Sequence, residues 1–135
     1  MSTAERVVLD ASVGVKWFRR ERGSDAAHLL QQRSLAGEIR LAAPTHFVHE
    51  VLAAVNRENN ADVVIEAWQI IKASGITIIP LDDAVIAEAA RQCDALGCSF
   101  YDALAPACAV LLDATLASAD ARAHSAFPGV HLIEG

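Results

Sequence analysis

The sequence predicts an α/β fold: one domain with a mainly parallel central sheet of about five strands, flanked by helices. Short β-like runs alternate with longer helical ones along the chain, the pattern of strand–helix–strand crossovers. Right-handed crossovers then place helices on both faces of the sheet. Size and composition agree. The chain has 135 residues, 53% of them hydrophobic and 21% charged, so a single domain over residues 1–135 is expected. A chain of this size can bury roughly 70% of its unfolded surface.

The elements follow in order. Val7, Val8 and Leu9 make an apolar run in the first strand, Arg6–Asp10, which stops on an acid. Helical patterns follow over Ser12–Arg19 and Ser24–Leu35, the second closed by Gly37 as a C-cap glycine. After a strand at Ile39–Ala42, Pro44 leads into the helix Thr45–Arg57, with Thr45 a plausible N-cap. The helix Ala61–Ala73 precedes a strand Thr77–Pro80, ended by its proline. Asp82 or Asp83 can cap the helix Asp83–Leu96, which Gly97 closes. The remaining pieces are a helix Tyr101–Leu112, a strand Thr115–Ser118, a short helix near Ala121–Ala126 and a strand Val130–Ile133. There is no internal repeat, low-complexity tract or linker.

Composition excludes several classes. No apolar run approaches the ~20 residues of a membrane span, so no membrane association is expected. Glu5 and Arg6 stand where a signal peptide would be apolar, so a cytoplasmic location is expected. Cys93, Cys98 and Cys108 form no zinc pattern and read as reduced, partly buried thiols. A formal charge of −6 and a pI near 5.2 argue against a nonspecific nucleic-acid coat. They do not exclude an enzyme acting on nucleic acid through a cation. Lys16, Arg19, Arg20 and Arg22 form a basic cluster, read either as a solvated helix end or as a phosphate contact.

The acids carry the most explicit chemistry. In an open parallel sheet, ligands bind outside the carboxyl ends of the strands. Asp10 ends the first strand, Asp120 follows the strand "TLAS", and Asp102 opens a helix in "CSFYDALAPACAV". Taken singly, each reads first as a helix cap, Asp10 or Ser12 for the first helix and Asp102 and Asp120 for theirs, but like-charged caps meeting at one edge would repel. In "THFVHEVLAAVNRE", Phe47, Val48, Val51, Leu52, Ala54 and Val55 make one apolar face. Glu50 lies on its border, and Arg57 shares that azimuth two turns on. "HEVLA" resembles the start of H-E-x-x-H, but position 53 is Ala53, so that zinc site is absent. His46 and His49 are expected at the surface or just behind the site. Clustered carboxylates with no phosphate loop or nucleophile elbow in the chain suit Mg²⁺ or Mn²⁺ and phosphodiester chemistry.

In this order, "VVLDASVGVKWF", "APTHFVHEVLAAV", "SFYDALAPACAV" and "ASADARAH" resemble the PIN-domain proteins, in particular VapC-type toxins of toxin–antitoxin pairs. The four acids lie 40, 52 and 18 residues apart. The resemblance covers nearly the whole chain. It implies an endoribonuclease using Mg²⁺ or Mn²⁺, homodimeric and neutralised by a small VapB-like antitoxin. It implies that Asp10 and Asp102 ligate the principal metal, while Glu50 and Asp120 complete the pocket. Ser118 stands where the family often has threonine. Lys16, Arg19 and Arg57 are weaker candidates for RNA phosphate contacts. Two positions depart from the pattern: Ala53 replaces a common asparagine, and Pro106 falls in the helix after Asp102. A kink beside the site follows if the helix already runs at Asp102; the strain is smaller if Asp102 is the cap. The rivals are a PIN-like domain that binds without cleaving and a phospho-acceptor module. The latter needs an acid pair after the first strand and a late lysine, and this chain has Asp10 alone and lysines only at Lys16 and Lys72.

Overall fold

A computed structural model describes residues 4–135. The five strands are β1 (Glu5–Leu9), β2 (Ile39–Pro44), β3 (Thr77–Ile79), β4 (Thr115–Ser118) and β5 (Val130–Leu132), in the spatial order β3-β2-β1-β4-β5. All four pairings are parallel. The chain steps outward through β1, β2 and β3, then crosses back to place β4 on the other side of β1. The switch point therefore lies between β1 and β4, where a doubly wound sheet opens a crevice at its carboxyl edge.

Among the described residues seven α-helices flank the strands: α1 (Ala11–Gly14), α2 (Ser24–Leu35), α3 (Thr45–Glu58), α4 (Ala61–Ala73), α5 (Asp83–Leu96), α6 (Phe100–Leu112) and α7 (Ala121–His124). Strand side chains alternate between faces, and this sorts the core into two layers. Val7, Leu9, Leu41, Ala43 and Ala117 pack with α1, α2, α3 and α4 through Val13, Leu30, Phe47, Val51 and Ile71. Val8, Ala42 and Leu116 pack with α5 and α6 through Val85, Ala89, Leu104 and Cys108. Among the described residues no single helix is long and apolar enough to cross a membrane.

Two sequence expectations need correction. Residues 12–19 are not one helix: α1 is a single turn, followed by a 3-10 turn at Val15–Trp17. The indole of Trp17 there donates to the Ala27 carbonyl at 2.8 Å, which ties the turn to α2. Thr45 is not the cap of α3 but its first residue, after Pro44, and its hydroxyl donates to the Ile79 carbonyl at 3.3 Å. Asp82 caps α5 by accepting from the Val85 amide, and Gly97 closes that helix at φ 66°, as expected. Cys108 is buried and Cys93 and Cys98 half-buried, all unpaired. Burial, with Asp82 nearby, pushes the Cys108 thiol up to about 11, which leaves it inert.

Candidate active site

Asp10 follows Leu9 directly, and its amide continues the β1–β4 ladder by donating to the Ala117 carbonyl at 3.0 Å. Its backbone is still extended and α1 starts at the next residue, so its carboxylate caps that helix. Asp10 Oδ2 accepts from the Ser12 amide at 3.1 Å and the Ser12 hydroxyl at 2.6 Å. Ser12 Oγ in turn accepts the Ala119 amide at 2.9 Å. One serine thus laces the end of β1 to the end of β4. Asp120 caps α7 by the same logic, its Oδ1 accepting from the Ala123 amide at 3.1 Å. Capping and site roles are compatible, because each cap uses one oxygen and leaves the other for the cleft. Asp102 is not a cap. Ser99 holds that place, accepting the Asp102 amide on its Oγ at 3.1 Å.

Glu50 reaches the same edge from α3. Its carboxyl is held above the ordinary range, first by burial and then by the charges of Asp10 and Asp102. All three side chains line the same cleft. His46, one turn earlier, places Nε2 4.0 Å from Glu50 and packs edge-on against Tyr101 with ring centroids 5.2 Å apart. Burial holds His46 below its usual range, against the pull of Asp10 and Asp102. The imidazole is therefore neutral at pH 7, and its approach to Glu50 is a polar contact, not an ion pair.

Asp10, Glu50, Asp102 and Asp120 line one cleft of about 360 Å³, with Ser12, Arg19, His46, Ala53 and Arg57 among its walls. A larger hollow of about 770 Å³ lies at the amino edge, around Glu5, Glu38, Arg40 and Thr77, and gathers no comparable set of like charges. Arg57 faces the acidic cleft, as its azimuth predicts. Arg19 does too, and pairs with Glu58 at 2.8 Å. Lys16 does not. It is 3% exposed, and its ammonium is bound to Glu21 at 3.2 Å and to the Arg22 carbonyl at 2.5 Å, so it is withdrawn as a phosphate contact. The rest of the basic cluster is likewise paired, Arg20 with Asp25 at 2.7 Å and Arg22 with Glu134.

Ser118 is fully buried beneath the site, accepting the Asp120 amide at 3.0 Å and meeting His124 Nδ1 at 2.7 Å. His124, also fully buried, was not singled out in the sequence, because a histidine on a four-residue helix gives no sign of facing inward. Ser12 was legible only as a possible cap.

The donor set fits a hard divalent cation: four carboxylates and no sulfur line the cleft. Among the described residues no three His, Cys, Asp or Glu side chains close on a single point.

The crowding has a cost in stability that can be measured. Glu50 binds its proton more tightly folded than unfolded, so its ionisation destabilises the fold as pH rises through the ordinary carboxylate range, and the penalty persists above the raised folded value. Glu50→Gln is expected to raise the melting temperature at pH 7, with the gain disappearing at pH 3. A variant that melts below the parent at pH 7 would show that Glu50 is not under strain.

The family profile for the PIN domain matches residues 7–128. The chain belongs to the PIN-domain family. Solved structures share the architecture of this PIN domain. A toxin–antitoxin complex from Klebsiella pneumoniae matches with TM-score 0.72 at 15% identity, over 93% of this chain and 95% of that one. VapBC2 from Rickettsia felis, bound to a promoter DNA fragment, matches with 0.72 at 16% identity, over 94% and 96%. VapC20 of Mycobacterium tuberculosis, a toxin that cleaves the sarcin–ricin loop, matches with 0.65 at 16% identity, over 89% and 94%. At these identities the likeness is one of fold. No curated protein matches the chain.

Proposed function

We propose that this PIN domain is a Mg²⁺- or Mn²⁺-dependent endoribonuclease and the toxin of a VapBC-like toxin–antitoxin pair. The observation that carries the reading is the convergence of Asp10, Glu50, Asp102 and Asp120, from four separate segments, on one cleft at the switch point of the sheet. In this reading Asp10 and Asp102 hold the principal cation, and Glu50 and Asp120 hold its waters or a second ion. The cation supplies charge neutralisation and an acidified water. Arg19 and Arg57 on the cleft wall bind RNA phosphates flanking the reacting one. In this reading no histidine serves as a dedicated general base, and His46 stands half-buried and edge-packed against Tyr101.

Incubation with total RNA and purified protein tests this. Discrete cleavage is expected with Mg²⁺ or Mn²⁺ and none with EDTA. Binding without cleavage under every metal condition would favour the non-cleaving PIN-like reading.

The toxin assignment draws on the likeness to a toxin–antitoxin complex and to VapBC2 and on the charge of the cleft. Four carboxylates in one crevice focus a negative field, and a guanidinium can bridge two of them. Growth arrest on expression is expected to be relieved by a small protein encoded beside this one, with an arginine or lysine near its C-terminus reaching the acids. Full neutralisation by a partner whose basic tail is replaced with alanine would count against it. A homodimer is part of the same proposal, checked by sedimentation.

A further inference from the structure

Pro106 stands inside α6, four residues after Asp102. A proline nitrogen has no hydrogen, so the Asp102 carbonyl is denied its ordinary helical donor. The helix already runs at Asp102, yet it continues unbroken from Phe100 to Leu112. The missing donor comes from outside. His124 Nε2, on α7, lies 2.7 Å from the Asp102 carbonyl oxygen. A carbonyl only accepts, so Nε2 carries the hydrogen and Nδ1 is left as an acceptor. The Ser118 hydroxyl, 2.7 Å from Nδ1, donates to it, while Ser118 Oγ accepts the Asp120 amide at 3.0 Å. Each hydrogen in the chain then has one place, from the Asp120 amide through Ser118 and His124 to the Asp102 carbonyl.

We propose that His124 is a positioning residue: it supplies the hydrogen bond that Pro106 withholds, and so fixes the backbones of Asp102 and Asp120 to each other. It does not line the cleft, and acts only through these two acids. Its effect on turnover rests on the nuclease reading above; the hydrogen bond itself does not. Catalytic groups on separate elements tolerate little displacement, and here the two acids sit on α6 and at the end of β4, with one buried imidazole between their backbones.

The test is a cycle of four proteins: the parent, His124→Phe, Pro106→Ala and the double variant. Phenylalanine keeps the buried ring but neither hydrogen bond. With Pro106 in place, it is expected to lower kcat for RNA cleavage about tenfold or more, the scale seen when groups supporting metal ligands are removed, with KM little changed. In the Pro106→Ala background the alanine N–H serves the Asp102 carbonyl. The loss in melting temperature caused by His124→Phe should then shrink by about 3 °C or more, since a domain of this size shifts a few degrees per lost hydrogen bond. His124→Gln, which can both donate and accept, should recover part of kcat. Equal melting losses in both backgrounds, or an unchanged kcat in His124→Phe, would overturn the proposal. If His124→Phe folds only beside Pro106→Ala, the coupling is shown in its extreme form; failure to fold in both overturns it. A parent that cleaves no RNA would defeat the nuclease reading, and the melting cycle would still decide the hydrogen bond.

Discussion

Asp10→Asn is expected to leave a folded protein that has lost RNA cleavage by at least about 100-fold, since altering groups that merely support metal ligands already costs 10–100-fold. The change is nearly isosteric. An asparagine oxygen can still accept from the Ser12 amide, so the cap of α1 survives. What disappears is one of the charges that would hold the proposed cation. Removing one of four like charges also relieves repulsion on Glu50, whose carboxyl Asp10 helps to hold high. The melting temperature without metal should therefore equal or exceed the parent's, while the stabilisation by added Mn²⁺ shrinks. Asp102→Asn should behave alike, because Ser99, not Asp102, caps α6. Cleavage at the parent's rate by either variant, with the fold checked by circular dichroism, would remove the acid from the site.

The fold was largely legible because its signals are local. Strand positions such as Thr115–Ser118 and helices such as Ser24–Leu35, Ala61–Ala73 and Asp83–Leu96 show in apolar periodicity and in punctuation by glycine, proline and aspartate. The acidic cleft was legible for a topological reason: in a parallel sheet, strand ends separated by over a hundred residues share one edge. The supporting groups were not legible, since their meaning depends on direction. Lys16 resembles its basic neighbours in the sequence, yet the turn of backbone after α1 aims it inward to Glu21. His124 and Pro106 lie 18 residues apart, and nothing in either segment shows that one repairs the backbone bond the other breaks. Pro106 raised the right question, whether α6 must be disturbed beside Asp102, but the answer lies on a different helix.

A second large effect is expected at a position with no chemistry at all. Gly14→Ala should lower the melting temperature by about 5–10 °C, on an overpacking cost of about 1–3 kcal/mol in a domain of this size. Gly14 has ordinary helical backbone angles, so glycine is not needed there for its conformation. It is needed for closeness. A Cβ at this point would lie 2.5 and 2.6 Å from atoms of the Phe47 ring and 2.8 Å from a methyl of Val51. Both neighbours are fully buried on α3, so neither can move without shifting that helix. The same helix carries His46 and Glu50 to the cleft, whereas Gly14 lies four residues after Asp10. The close packing of α1 on α3 therefore sets how near Glu50 stands to Asp10. Gly14→Ala should lower the metal-induced rise in melting temperature as well as the baseline. Phe47→Leu, which removes the ring the new methyl would strike, should restore part of both when combined with it, although alone it costs stability. A Gly14→Ala protein that melts within a degree of the parent would show that α3 can retreat freely. A double variant no better than the sum of its parts would show that the Phe47 ring is not the obstacle.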